Sequence, residues 1–390
     1  MGGLMSRLVP KLRFKEFSGE WEEKKLGDVS NINMGQSPAS SSYNNTNNGI
    51  YLIQGNADIK DRFSNPRQWT TEPTKLCDIG DLILTVRAPV GYIAKSLHKT
   101  CIGRGVCSLS KKENNNIEFI YQFLLSYEKN WVSLEQGSTF TAVSGNDIKS
   151  LKINTPIPKE QQKIASCLSS LDALIEAQNK KVSALKQHKK GLMQQLFPAE
   201  GEREPKLRFK AFSGEWVEKK LGECLGYLQP TKYLVSDTNY NDDYDTPVLT
   251  AGKTFILGYT NEKSGIFKNN LPVIIFDDFT TATKYVDFPF KAKSSAMKIL
   301  LAKESMNIKF MYELMQMIKY EVGNHERHWI SKFALLDVLI PTPKEQQKIA
   351  NTLSTLDNLI EAQDQKITQL KQHKKGLMQQ LFVSSEVAHE

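Results

Sequence analysis

The sequence predicts an α/β protein: two mixed α/β domains separated by two long helices that pair as an antiparallel coiled coil, with the halves of the chain related by a pseudo-twofold axis. Three observations carry this expectation. They are two pairs of internal repeats, a heptad seam inside the longer pair, and two intervening segments with the same order of short strands and one amphipathic helix.

The shorter repeat is "PKLRFKEFSGEWEEKKLGD" at 10–28 and "PKLRFKAFSGEWVEKKLGE" at 205–223, which differ only as Glu16 to Ala211, Glu22 to Val217 and Asp28 to Glu223. The longer repeat occupies 156–197 and 341–382 and is identical at 32 of 42 positions. Between them, segments 29–155 and 224–340 share little alignable sequence. The expected division is a first domain at 1–155, a central helix at 156–197, a second domain at 198–340, and a C-terminal helix with its tail at 341–390.

Inside the longer repeat, Ile164, Leu168, Leu171, Ile175, Gln178, Val182, Leu185, Lys189, Leu192 and Leu196 step by alternating fours and threes. The second copy repeats the pattern from Ile349 to Leu381. That is the heptad spacing of a helix whose apolar stripe faces another helix. Pro158 and Pro343 stand where a first turn tolerates proline, and Pro198 follows the end of the first copy. Each helix should therefore run ~40 residues, roughly 60 Å. A plain coiled-coil spacer explains the seam, but it does not explain the identical polar positions beside it. The hexapeptide "KEQQKI" recurs whole, and Lys159, Glu160, Gln161, Gln162 with Lys344, Glu345, Gln346, Gln347 are expected to form two equal docking surfaces for two copies of one partner. A recent duplication is the rival explanation, set against it by the divergence of the intervening segments.

In the first of those segments, "GDLILTVRAPVGYIA" and "GRGVCSLS" read as short strands, followed by the amphipathic "NIEFIYQFLLSYEKNWVSLEQ". The second follows suit with "LPVIIFDDFTTATKYV", "SAMKILLAK" and "NIKFMYELMQMIKY". One fold under two sequences is the expectation.

Composition narrows the partners. Lys and Arg number 51 against 43 Asp and Glu, a formal charge of +8 that leans toward a polyanion. Five cysteines, an odd number without a CxxC pair, signal neither a disulfide framework nor a zinc knuckle. No apolar run approaches the ~18 residues of a membrane span. A cytoplasmic protein without membrane contact is expected, with translation beginning at Met1 or at Met5.

Polar residues in predicted loops supply candidate nucleic-acid contacts. In the first domain these are Gln54, Asn56, Arg87, Lys95, Arg104, Ser138, Thr139 and Asn146. In the second they are Thr250, Lys253, Thr254, Asp278, Thr280, Lys284, Tyr285, Arg327 and His328. Arg and Lys suit guanine edges or phosphates, while Asn and Gln suit adenine. A solvated loop has the same composition, so each residue is a candidate only.

Catalytic patterns dissolve on inspection. "PVLTAGKT" at 247–254 ends like a phosphate-binding loop, but Pro247 stands where its first glycine belongs. Asp277 and Asp278 near Lys284 and Lys298 invite a nuclease reading, yet no Glu-x-Lys follows on a strand. His325 and His328 lack further ligands for a metal. No adenine-methyltransferase "NPPY" loop and no glycine-rich cofactor loop is present. No catalytic residue, metal ligand or cofactor site is therefore expected in this chain.

Two diverged domains alternating with two near-identical helices, together with "PKEQQKIA", "KKGLMQQLF" and the two "FSGEW" segments, resemble the specificity subunit of type I restriction–modification systems. "GDLILTVRAPVG", "CIGRGV", "LTAGKT" and "IIFDDFT" are similar to stretches of that family's target-recognition domains. The resemblance covers nearly the whole chain. It implies that each domain reads one half of an interrupted, asymmetric target on double-stranded DNA, while the paired helices act as a ruler. It implies two modification subunits bearing S-adenosylmethionine, and two restriction subunits using ATP and Mg. Half-sites about one helical turn, ~34 Å, apart are the geometric expectation.

A coiled-coil scaffold with two protein-binding domains is the alternative from another class, and a standalone nuclease a third. A DNA reader loses affinity steeply as salt rises, which a protein-binding scaffold does not.

Overall fold

The computed structural model describes residues 8–136, 142–250, 252, 254–320 and 328–383. Four helices organise the chain: α1 (Ile117–Gln136), α2 (Pro158–Leu196), α3 (Ile308–Met317) and α4 (Pro343–Leu381). The two long ones, α2 and α4, are 39 residues each, as the heptad pattern predicts. None of the twenty expected seam residues is exposed, and Leu168 and Leu353 are fully buried.

Spatially the chain forms two compact units, and each takes in half of both helices. Unit 1 is Met1–Asn179 with Gln365–Glu390, and unit 2 is Lys180–Asp364. Within unit 1 the start of α2 (Ile164, Ala165, Leu168) and the end of α4 (Leu377, Met378, Leu381) share one apolar cluster, so the two helix segments run in opposite directions. Unit 2 pairs the end of α2 (Met193, Leu196) with the start of α4 (Ile349, Ala350, Leu353) in the same manner.

Each unit is built on two larger sheets and a two-stranded one. In unit 1 a six-stranded sheet places Ser30–Met34, Val106–Lys111, Leu82–Thr85 and Ile93–Lys95 side by side, and Thr100–Ile102 lies parallel to Ile50–Ile53 in a second, five-stranded sheet. In unit 2 the corresponding set is Leu225–Leu228, Met297–Ala302, Val273–Asp277 and Thr283–Val286, with Lys291–Ala292 parallel to Thr246–Leu249. One topology thus underlies two unlike sequences.

The central strand of each unit reads as an unbroken apolar run because both of its faces are covered. Leu82 and Leu84 face the helices, while Ile83 and its sheet neighbour Val106 face Ile53 and Ile102 of the second sheet. Ile274 and Phe276 face the helices in unit 2, and Val273 and Ile275 face Leu249 and Ala292. The period of two along a strand sorts these side chains.

The "FSGEW" and "LMQQLF" repeats meet inside the units. Trp21 packs edge-on to Phe119 at 6.0 Å, and Phe119 packs on Phe382 at 5.3 Å. Trp216, Phe310 and Phe197 repeat this triad, at 5.9 Å and 5.4 Å. The carbonyls of Gln195 and Gln380, left without intrahelical donors near the helix ends, accept the amides of Leu207 and Leu12 at 2.9 Å.

Candidate nucleic-acid interface

At one end of unit 1, three strand ends and one turn converge. The amide of Gly103 donates to Ile53 O (2.8 Å), that of Val86 to Gly105 O (2.9 Å), and that of Gly35 to Val106 O (3.0 Å). A Cβ at Gly105 would lie 2.1 Å from Gln54 O, so only glycine permits this close approach. The turn Gly103–Gly105 is thereby pressed onto Gln54, and the exposed Arg104 is held at its tip by a bond from its amide to Ser37 Oγ at 3.1 Å.

Five of the expected contacts gather at this end. Gln54 is half-buried, with its amide on Asp58 Oδ2 at 2.8 Å, and Asn56 is exposed in the turn that follows. Exposed Arg87 lies two residues beyond Thr85, bridged to Ala142. Exposed Asn146 opens the short helix Gly145–Ser150, whose Gly145 rests against Met34 at the end of its strand. Lys95 is a correction. Its strand runs antiparallel to Leu82–Thr85 and pairs Lys95 with Leu82, the far end of the sheet. There it bonds Glu118 at 2.6 Å and lies over the Tyr121 ring, so its charge is neutralised within the domain. Ser138 and Thr139 lie outside the described residues.

Unit 2 repeats the arrangement. Lys293 donates its amide to Leu249 O (2.9 Å) and Asp278 donates to Ala296 O (3.1 Å). Thr250 is half-buried and its hydroxyl donates to Thr254 O at 2.5 Å; Thr254, Thr280 and Lys284 are exposed nearby. Tyr285 is half-buried in mid-strand against Tyr312, and burial pushes its phenol up. Lys253 and Arg327 lie outside the described residues.

Asp278 and His328 turn inward, against the expectation of loop contacts. Asp278 is 1% exposed, pairs with buried Lys298 at 3.2 Å and accepts the Trp329 amide at 2.9 Å, while its carbonyl accepts the His328 amide. His328 is 2% exposed, beside Tyr320. Both pin the segment after α3 to the central strand, and this accounts for the Asp278–Lys298 proximity that suggested a nuclease. The turn at 293–296, missed in the sequence, carries half-exposed Lys293 and exposed Ser294 and Ser295. Its only sequence signal is a Ser-Ser pair between two strands.

The repeated hexapeptide has an internal task. Glu160 is 1% exposed and is held by Arg13, while Glu345, equally buried, is held by Arg208. Gln161 and Gln346 are buried too; each accepts the amide of Asn116 or Asn307 at 2.9 Å and donates to Pro156 O or Pro341 O at 3.0 Å. These four side chains therefore bind each long helix to its own domain and are not outward surfaces. Gln162 and Gln347 are exposed and accept from the Asn116 and Asn307 side chains at 2.6 and 2.9 Å. Lys159 and Lys344 are exposed.

A second polar seam lies further along the long helices. Lys374 bonds both oxygens of Asp172 at 2.6 and 2.8 Å, and Lys189, the same position of the other repeat, bonds Asp357 at 2.7 Å. To Asp172 the first domain adds Gln122 at 2.8 Å. To Asp357 the second adds Lys309 at 2.7 Å, and buried Glu313 closes the ring by accepting from Lys189 and Lys309. Burial opposes the charge on Asp357, but the hydrogen bonds from Lys189 and Lys309 outweigh it and hold its carboxyl below the usual range. Burial likewise opposes the Lys309 charge, and its bonds to Asp357 and Glu313 prevail and raise its pKa.

Among the described residues no group of three or more His, Cys, Asp or Glu side chains converges on a metal-sized site, and no helix is long and apolar enough to cross a membrane. The sequence model of the type I restriction modification DNA specificity domain matches residues 18–187 and 213–372, most of the chain and once in each half. The chain belongs to this family of specificity subunits. It is 51% identical over 139 residues to the Escherichia coli type I restriction enzyme EcoR124I/EcoR124II specificity subunit, covering 34% of each chain. It is 35% identical over 207 residues to the putative type I restriction enzyme MjaX specificity subunit of Methanocaldococcus jannaschii, covering 50% of this chain and 49% of that one. These alignments thus span half or less of the two relatives. The fold matches the S subunit of a type I restriction–modification system from M. genitalium at a TM-score of 0.68 and 17% identity, covering 96% of this chain and 99% of the other.

Proposed function

We propose that this chain is the non-catalytic DNA-reading subunit of a type I restriction–modification enzyme, with each unit reading one half of an interrupted, asymmetric target on double-stranded DNA. One observation carries the reading. The two units hold the same strand framework and the same turn, yet the exposed side chains at that turn differ, as two readers of two unlike half-sites require. The excess of positive charge favours a phosphate backbone as partner.

In this reading two modification subunits bring S-adenosylmethionine and methylate adenine, and two restriction subunits bring ATP and Mg. The exposed members of the helix repeats, Lys159 and Gln162 with Lys344 and Gln347, remain candidates for docking these partners, and α2 and α4 set the spacing between half-sites. A cytoplasmic location follows from the substrate.

The test is a base-resolution methylation map of genomic DNA from cells with and without this gene. Loss of adenine methylation at one two-part motif is the expected result. An unchanged map, combined with no salt-dependent binding of duplex DNA by the purified chain, leaves a protein scaffold instead.

A further inference from the structure

The hydrogen-bond registers of the two units are equivalent residue by residue where their sequences are unlike. Ile102 pairs with Ile53 as Ala292 pairs with Leu249, both in parallel. Thr85 pairs with Val106 as Asp277 pairs with Met297, both antiparallel. The turn Gly103–Gly105 is therefore the counterpart of Lys293–Ala296, and each is clamped at both ends by the same two main-chain bonds. Clamping matters because a base-reading side chain must be delivered from a rigid frame to gain specificity from hydrogen-bond geometry.

The side chains on this shared frame are unlike. Arg104 stands alone between two glycines, and its guanidinium forms no hydrogen bond or ion pair with any described residue. Lys293 is half-exposed, its ammonium 5.8 Å over the Tyr240 ring, a contact that orients the charge without neutralising it. Several other cations of the sheets are paired within the fold, Lys95 to Glu118, Lys298 to Asp278 and Lys291 to Glu262 among them. A cation without an ion pair among the described residues, on a constant, clamped turn and with a different side chain in each unit, is what a specificity determinant needs.

We infer that these two turns are the base-reading elements of the two half-sites, with Arg104 bonding the O6 and N7 of a guanine in one and Lys293 the same edge of a guanine in the other. Arg and Lys match the paired acceptors of guanine in the major groove, and such a contact discriminates against the wrong base by roughly tenfold or more. This inference rests on the DNA-reading function proposed above and assigns its residues.

The experiment compares wild type, Arg104→Ala, Arg104→Lys and Lys293→Ala, each full length and expressed with its modification subunit, by base-resolution methylation mapping. Arg104→Ala is expected to relax one guanine position of one half-site by roughly tenfold while the other half stays strict. Lys293→Ala is expected to relax one position of the other half only, and Arg104→Lys to retain partial preference. Thermal melting of each variant should match wild type, since Arg104 is exposed and Lys293 half-exposed. Methylation that falls evenly at an unchanged motif would assign both residues to phosphate contacts and overturn the inference, as would an unchanged map. A wild type without any two-part motif would overturn the proposed function itself, a result distinct from failure of the variants.

Discussion

The guanidinium of Arg13 holds the carboxylate of Glu160 by two parallel hydrogen bonds, Nε to Oε1 at 2.8 Å and Nη2 to Oε2 at 2.7 Å. Two-pronged pairing fixes both position and plane, so the segment carrying "FSGEW" is locked to the start of α2. Removing the arginine strands a charge in the interior. Arg13→Ala is expected to destabilise unit 1 by about 3 kcal/mol, and a paired replacement by apolar residues to recover much of the loss. Urea unfolding of the two variants checks both expectations.

Phe197 closes the core of unit 2 from the end of α2 at 2% exposure. Phe197→Ala removes its contacts with Trp216 and Phe310 and leaves a cavity, at a cost of about 3 to 5 kcal/mol. Hydrogen exchange should quicken in unit 2 more than in unit 1. Equal quickening in both would contradict the separate cores.

Asp357 has a lowered pKa in the fold, so its contribution is present above the ordinary carboxylate pKa and is lost as pH falls through the lowered value. Asp357→Asn should cost about 1 kcal/mol at neutral pH, a modest figure because the group is only half-buried. The gap from wild type should shrink on acidification. Lys309, with a raised pKa, behaves oppositely: its contribution is present below the ordinary lysine pKa and fades as pH rises through the raised one. Denaturation midpoints from acid to alkaline pH give the two profiles.

Inserting seven residues after Asn179 and after Asp364, where each long helix passes from one unit to the other, preserves the heptad phase. The unread spacer of the methylated motif is expected to lengthen while both half-sites persist. A motif with its spacer unchanged would remove the ruler role from the helices.

The long helices were legible in the sequence because a heptad is a local signal, visible in the steps from Ile164 to Leu196. Even the seam's odd members make sense: Lys189 and Lys374, polar at apolar positions, meet Asp357 and Asp172. What sequence spacing does not carry is the direction of a polar side chain. Glu160 and Gln161 look like surface residues on a polar hexapeptide, and only the fold brings Arg13 and Asn116 to them. Asp278 and His328 follow the same logic, since a loop residue turns inward when a buried lysine or a free amide awaits it. Lys293 escaped notice for the opposite reason: nothing in "AKSSAM" marks the clamp that the neighbouring strands impose.

The cluster that joins Trp21 and Phe119 to Leu381 and Phe382 has a bearing on how the protein is made. The interior of the first domain is completed by residues that leave the ribosome only after the whole second domain. The nascent amino-terminal half must wait, with part of its apolar interior uncovered, until α4 has been synthesised. A premature stop before Leu377 would therefore injure the half encoded first.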